Sequence, residues 1–260
     1  MSDFIDYIRR WISTKASNLL GNTVMTAAII TITCYAVRKD VFATYVATKS
    51  CLFSVLMCCI WCGLFNSIAL FYSEREYLID DLNKFLSVRT YVSANLLIQL
   101  FLCAVESVVC AVVFSRFFEF DSAGIVMGNR QTDFFVTFFL ITMSADMLGF
   151  LVGLLINSIT SIMTVIPVVL IAQLLLSGCL FDLDGILDKA ANATTARWGF
   201  YALGSIADLN GLLPPGQLLD IFRAEADHIH YCWRFLLLLT VICTLLSGIL
   251  LYIKINRVES

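Results

Sequence analysis

Six stretches of this sequence, roughly residues 19–37, 51–72, 93–115, 134–156, 159–181 and 235–253, are almost free of charge and rich in Leu, Ile, Val and Phe. A helix needs about 20 such residues to cross the ~30 Å hydrocarbon core of a bilayer. Hydrocarbon offers no partner to a backbone N–H or C=O, so each stretch must satisfy its own hydrogen bonds, which a helix does. Charges bound the stretches: Arg38-Lys39-Asp40 follows the first, Glu74-Arg75-Glu76 the second, Arg116 and Glu119 the third, Lys254 and Arg257 the last. Only Asn157-Ser158 separates the fourth from the fifth, which predicts a tight hairpin. The pattern predicts an all-α integral membrane protein of six transmembrane helices, with both termini on one side.

Composition supports that class. The chain is 60% hydrophobic and 14% charged, whereas soluble domains sit near half apolar and about a quarter charged. A net charge of −3 gives no electrostatic basis for nucleic-acid binding. Eight of the cysteines (Cys34, Cys58, Cys59, Cys62, Cys103, Cys110, Cys179 and Cys243) stand in apolar runs, and only Cys51 and Cys232 near helix ends. Disulfide frameworks and zinc sites need other spacings, so these read as small packing residues. With the termini cytosolic, the inner segments hold eight of the 17 Lys and Arg. They are short, so the density rule favours that orientation weakly.

Residues 1–18 are not a cleavable signal, because Asp3, Asp6, Arg9, Arg10 and Lys15 interrupt any apolar core. Phe4, Ile5, Ile8, Trp11 and Ile12 recur at helical spacing and predict an amphipathic helix lying in the interface, or packed on a partner. The domain 19–260 follows. Its one sizeable non-membrane region, 182–232, contains Trp198, Phe200, Tyr201 and Leu212-Leu213-Pro214-Pro215-Gly216, then a helix-like stretch at 217–230. Its aromatic content predicts packing on, or dipping into, the outer membrane surface. No Gly-x-x-x-x-Gly-Lys-Ser/Thr run is present, so the chain does not cradle ATP by that route.

Three further segments, in order, carry a resemblance. Phe65-Asn66-Ser67-Ile68 leads to Phe71, Glu74-Arg75 and, seven residues after Glu74, Asp81. Ser144-Ala145-Asp146-Met147-Leu148-Gly149 runs through Pro167 to Leu176-Ser177-Gly178. Arg197-Trp198-Gly199-Phe200-Tyr201-Ala202-Leu203 follows. Together they resemble ABC-2 type transporter permeases, particularly the ABCG (white/breast-cancer-resistance) class, without a fused ATPase. The resemblance implies six helices per protomer in a dimer, homodimer or paired with a sister permease, around a central cavity. It implies a separate ABC ATP-binding subunit that supplies ATP and Mg, and a cytosolic link between the second and third spans that rests on that subunit as a coupling helix, bearing Glu74, Arg75, Asp80 and Asp81. It places Leu170, Ile171 and Leu174 on the cavity wall, Cys179 and Leu180 near an apolar gate, and Cys59 and Cys62 at the matching positions of the second span. Short re-entrant helices are implied after the fifth. The chain starts about 18 residues before its first span and has one external cysteine, Cys232. Both features favour a bacterial plasma-membrane permease.

Two acids stand apart from that pattern. Glu106 and Asp146 fall near the middle of predicted spans, where a carboxylate costs about 2.5–3.5 kcal/mol on insertion scales. They read either as contacts for a polar or cationic substrate or a proton-linked step, or as acids hydrogen-bonded to a neighbouring helix through Ser107, Thr142, Ser144 or Gln173. Ala145, Gly149 and Gly153 form a small-residue stripe suited to close helix packing within the protomer. Pro167 deprives a carbonyl one turn earlier of its donor and predicts a kink.

The function expected is that of the transmembrane permease of an ATP-driven exporter for an amphipathic or hydrophobic substrate, with no catalytic residue of its own. A channel, lipid scramblase or assembly scaffold is the alternative. The two histidines, His228 and His230, lie outside the spans, which leaves a metal-dependent intramembrane enzyme without ligands.

Overall fold

The computed structural model describes residues 21, 23–37, 39–84, 87–119, 123–156, 159–181, 183–214 and 216–258, with backbone alone at 69–84, 159–160, 163 and 255–258. The amphipathic helix expected over 1–18 lies outside the described residues. Helices account for nearly all of the rest: α1 (Thr23–Ala36), α2 (Tyr45–Lys84), α3 (Val88–Phe117), α4 (Arg130–Leu155), α5 (Ile159–Leu175), α6 (Gly185–Ala191), α7 (Thr195–Ile206) and α8 (Ala226–Val258). Four carry stretches long and apolar enough to cross a membrane: Tyr45–Ile68, Val88–Phe117, Arg130–Leu155 and Ala226–Lys254. The first and fifth predicted stretches form the shorter apolar helices α1 and α5.

Several boundaries differ from those read in the sequence. The second helix starts at Tyr45 and does not stop near residue 72. It continues to Lys84, so most of the expected link is an extension of α2. The fifth stretch ends as helix at Leu175, before residue 181. The chain then turns at Ser177-Gly178, where Ser177 Oγ accepts from the Cys179 amide at 3.1 Å and Gly178 adopts φ 73°. A left-handed turn of that kind suits glycine, which has no Cβ to clash. The helix expected over 217–230 is instead a short turn at Asp220–Phe222 followed by α8 from Ala226. Through Pro167, α5 remains one continuous helix.

The core is built around α4, whose packed faces meet α2, α3, α7 and α8. Its closest approach is to α2. A Cβ on Gly63 would stand 2.3 Å from the Thr142 carbonyl oxygen, and one on Gly149 would stand 2.6 Å from that of Leu64. Only hydrogen at these positions lets the two backbones touch. The small-residue stripe of α4 is thus spent inside the chain, as its sequence predicts: Ala145 and Gly149 face α2 and Gly153 is buried. Where α3 ends and α4 begins, an aromatic cluster locks the two together, with Phe114 5.1 Å from Phe134 and 5.8 Å from Phe138 between ring centroids.

Two long-range bonds set the register of α8 along α4. Trp233 Nε1 donates to Thr137 Oγ1 at 2.9 Å, and near the other end Lys254 Nζ donates to the Leu154 carbonyl. Sequence offsets of this constancy mean that α4 and α8 run parallel, with the lysine holding a carbonyl that the end of α4 leaves without an amide donor.

Replacing Gly63 with Val is expected to destabilise the fold by about 1–3 kcal/mol or more. Gly248→Ala, whose added methyl meets nothing within 4 Å, should leave the thermal midpoint unchanged or slightly raised. Thermal unfolding of both variants in detergent, followed by tryptophan fluorescence, checks this.

Candidate functional site

Between α2, α3 and α4 the helix bundle contains a buried polar cluster. On α3, Asn95, Gln99 and Glu106 are 2%, 0% and 3% exposed, and their spacing sets them on one face, with Cys103 between. That face meets Asn66 and Ser67 of α2 and Asp146 of α4, all buried. Asn66 Nδ2 donates to Glu106 Oε2 at 2.6 Å. Ser67 Oγ donates to Asp146 Oδ1 and lies 3.4 Å from Gln99 Nε2. Thr26 of α1 approaches Glu106 while its hydroxyl donates to Cys62 Sγ at 3.4 Å.

Both intramembrane acids therefore pair with α2. None of the four partners named from sequence holds either carboxylate. Ser107 and Thr142 bond back to the carbonyls of Cys103 and Phe138 on their own helices, as hydroxyls in helices commonly do. Ser144 meets Thr195 Oγ1 at 2.9 Å, and Gln173 Oε1 accepts the Ala196 amide at 3.0 Å. The last two hold the first turn of α7, with Thr194 Oγ1 accepting the Arg197 amide. Free amides at a helix start need acceptors when water is excluded. Helix α7 is buried along nearly its whole length. Phe200 packs edge-on to Phe53 at 6.1 Å, and Trp198 stacks on Phe235 at 4.1 Å. Its N-terminus meets α4 about midway along that helix.

The expected cavity residues divide. Leu170 is on the packed face of α5, whereas Ile171 is 55% exposed on the opposite stripe with Val168 and Leu175; Leu174 is half-buried between them. Cys179 and Leu180 follow the helix in the Ser177-Gly178 turn, half-buried and exposed respectively. Cys59 and Cys62 point into the core at 1% and 8% exposure. The exposed side of α2 instead presents Trp61, stacked on Phe65 at 4.7 Å. Glu74, Arg75, Asp80 and Asp81 lie on the helical extension of α2; their side chains are outside the described residues.

The sequence reading missed Asp133. It is fully buried in the first turn of α4, and its carboxylate accepts the amides of Ile125, Val126 and Met127 at 2.8, 3.1 and 2.8 Å. Acidic groups suit a helix start, and this one also holds the loop between α3 and α4. Asn95 and Gln99 were missed too, although their four-residue spacing ahead of Cys103 and Glu106 was a usable signal. Among the described residues no group of three or more His, Cys, Asp or Glu is placed to hold a metal.

A family model described as "ABC-2 type transporter" matches residues 1–205. No curated protein matches the chain.

Removing the hydroxyl of Ser67 leaves Asp146 without its serine donor in the core. Ser67→Ala is expected to cost about 1–3 kcal/mol, and Asp146→Leu in the same chain should recover part of that loss. Thermal midpoints of the two single variants and the double variant in nanodiscs give the coupling.

Proposed function

The chain belongs to the ABC-2 type transporter family, as a membrane permease of ABC transport, and from that premise we propose that it serves an ATP-driven exporter of amphipathic or hydrophobic molecules. In this reading α1 and α5, with the residues flanking them, complete six crossings. Helix α7 is then a re-entrant element below the outer surface, and both termini are cytosolic in a plasma membrane of bacterial type. ATP and Mg belong to a separate ABC ATP-binding subunit.

The observation that carries the proposal is the length of α2. Its apolar stretch runs out at Tyr72, just before Glu74-Arg75-Glu76, yet the helix continues to Lys84, about 18 Å further at 1.5 Å per residue. A rigid helix projecting from the bilayer, bearing Glu74, Arg75, Asp80 and Asp81, is a mechanical contact for an ATPase. Charged groups there pair across a cytosolic interface and fix its register. Glu74 and Asp81 are seven residues apart and so share a face of that extension.

The substrate path is assigned to the exposed apolar sides of α2 and α5, through Trp61 and Phe65 on one and Ile171 with Leu174 on the other. A second protomer, identical or a sister permease, closes that face. Leu180 and Cys179 in the turn after α5 stand at its outer end as the gate. Leu170, Cys59 and Cys62 support the wall from behind.

Charge reversal at Asp81 is expected to lower transport at least about tenfold, by the loss of an interfacial charge pair, while ATP hydrolysis by the partner continues. Measuring both activities in proteoliposomes containing the permease and its captured ATPase tests this. Capture from native membranes that yields no P-loop subunit, or transport indifferent to Asp81→Lys, would move the assignment to an ATP-independent channel or scramblase.

A further inference from the structure

Among the described residues, a few buried side-chain polar atoms have no hydrogen-bond partner; Ser205 Oγ and the Nε atoms of Arg130 and Arg197 are separate cases, and the other four are oxygens on the neighbouring helices α3, α4 and α8. Asp146 Oδ2, Gln99 Oε1, Asn95 Oδ1 and Ser247 Oγ are all buried and receive no hydrogen bond from the protein. Ser247, on α8, belongs to the same level as Gln99. Cys243 packs against Cys103, Met143 and Met147. One turn further along α8 is Ser247, and one turn back along the oppositely directed α3 is Gln99. Three of these atoms are carbonyl or carboxylate oxygens, which only accept.

The donors nearby are already engaged: the Asn66 amide with Glu106, the Ser67 hydroxyl with Asp146, and the Gln99 amide with Ser67. Charge is unbalanced in the same direction. No Lys, Arg or His occurs at 90–115 of α3, 131–155 of α4, 235–253 of α8 or 50–74 of α2, and Lys254, toward the end of α8, is held by the Leu154 carbonyl. Surplus oxygen acceptors beside two carboxyl groups, in a medium that penalises each unpaired polar atom, are the environment of a cation.

We propose that Asp146, Gln99, Asn95 and Ser247 form a binding site for a small monovalent cation with sodium-like oxygen preference, set between α2, α3, α4 and α8. Oxygen-only ligands suit hard cations rather than zinc or copper. Desolvation cost rises with the square of the charge, which favours a single charge over calcium or magnesium at this depth. The stripe Asn95–Gln99–Glu106 leads along α3 from the end nearest Val88 toward mid-helix, so the ion enters from that end. Bound there, it joins α3 and α4 to α8, and the bundle should tighten when it is present.

The test uses the full chain in nanodiscs at fixed pH and ionic strength, with N-methylglucamine replacing sodium. Saturable binding of radiolabelled sodium near one ion per chain is expected, together with a thermal midpoint that rises with sodium and not with N-methylglucamine. Asp146→Asn should abolish binding, and Gln99→Met and Ser247→Ala should each weaken it by about tenfold or more, the scale on which metal sites respond to a lost or misplaced partner. Gln99→Met keeps the volume and charge, so a monodisperse size-exclusion profile for that variant separates loss of the ion from loss of the fold.

Absence of saturable binding to the monodisperse wild type overturns the proposal, as does binding indifferent to Asp146→Asn and Gln99→Met. Stabilisation by lowered pH alone assigns the cluster to protons, and displacement by micromolar calcium makes the site divalent; either outcome also overturns it. The proposal rests on bundle geometry, not on the exporter reading: a chain that binds sodium yet recruits no ATPase would sink only the latter.

Discussion

Backbone-to-backbone contact between α2 and α4 sets the position of everything polar inside this bundle. Gly63 and Gly149 remove the side chains that would hold the two helices at an ordinary separation, and each faces a carbonyl of the other helix. Ser67 lies one turn beyond Gly63, and Asp146 lies just under one turn before Gly149. The short reach of a serine hydroxyl meets the short arm of an aspartate only where helices approach this closely. In water such contact would be driven by apolar burial. In lipid the tails are as apolar as leucine, so close packing and buried hydrogen bonds take over as the association terms. The glycines and the serine–aspartate pair are therefore two halves of one interaction.

The same constraint explains the layer around α7. A helix start buried among α2, α4 and α8 cannot hand its first amides to solvent. It receives Gln173 from α5 and Thr194 from its own cap, while Ser144 of α4 meets Thr195 in its first turn. Arg197, from the same turn, reaches back to Asp188 of α6 at 2.5 Å and also to its carbonyl at 2.9 Å. The short helices between α5 and α8 are thus tied to the long ones by polar side chains spaced through apolar sequence.

Locality separates what the sequence discloses from what it withholds. The four long helices, their charged ends and the packing role of Ala145, Gly149 and Gly153 follow from hydropathy and residue size, which are local properties. Glu106 and Asp146 were recognisable because a carboxylate at mid-span is costly wherever it points. Their partners were not, since Asn66 and Ser67 become neighbours only through the α2–α4 crossing. Register on α5 was not legible in the sequence for a related reason. Leu170 and Ile171 are equally apolar, so nothing local says which faces the core, and the structure buries the first and exposes the second. The charges after residue 72 mark where the apolar crossing of α2 ends, and they leave open whether the same helix continues, as it does to Lys84.

The continuity of α2 joins the two proposals mechanically. Ser67 and Glu74 are seven residues apart on one uninterrupted helix, two turns and about 10 Å along its axis. Any force applied by an ATPase to the extension is delivered to a segment whose next polar contacts are Asn66 with Glu106 and Ser67 with Asp146. Packed helices have discrete arrangements rather than a continuum of them, so a shift of α2 exchanges one set of hydrogen bonds for another. An ion held by Asp146, Gln99, Asn95 and Ser247 favours the arrangement in which those oxygens converge. By reciprocity of linkage, whatever moves α2 out of that arrangement must weaken the ion's binding by the same free energy by which the ion resists the movement. The polar cluster would then be more than a neutralised cost in the membrane: it sets how firmly the permease rests in one state between strokes.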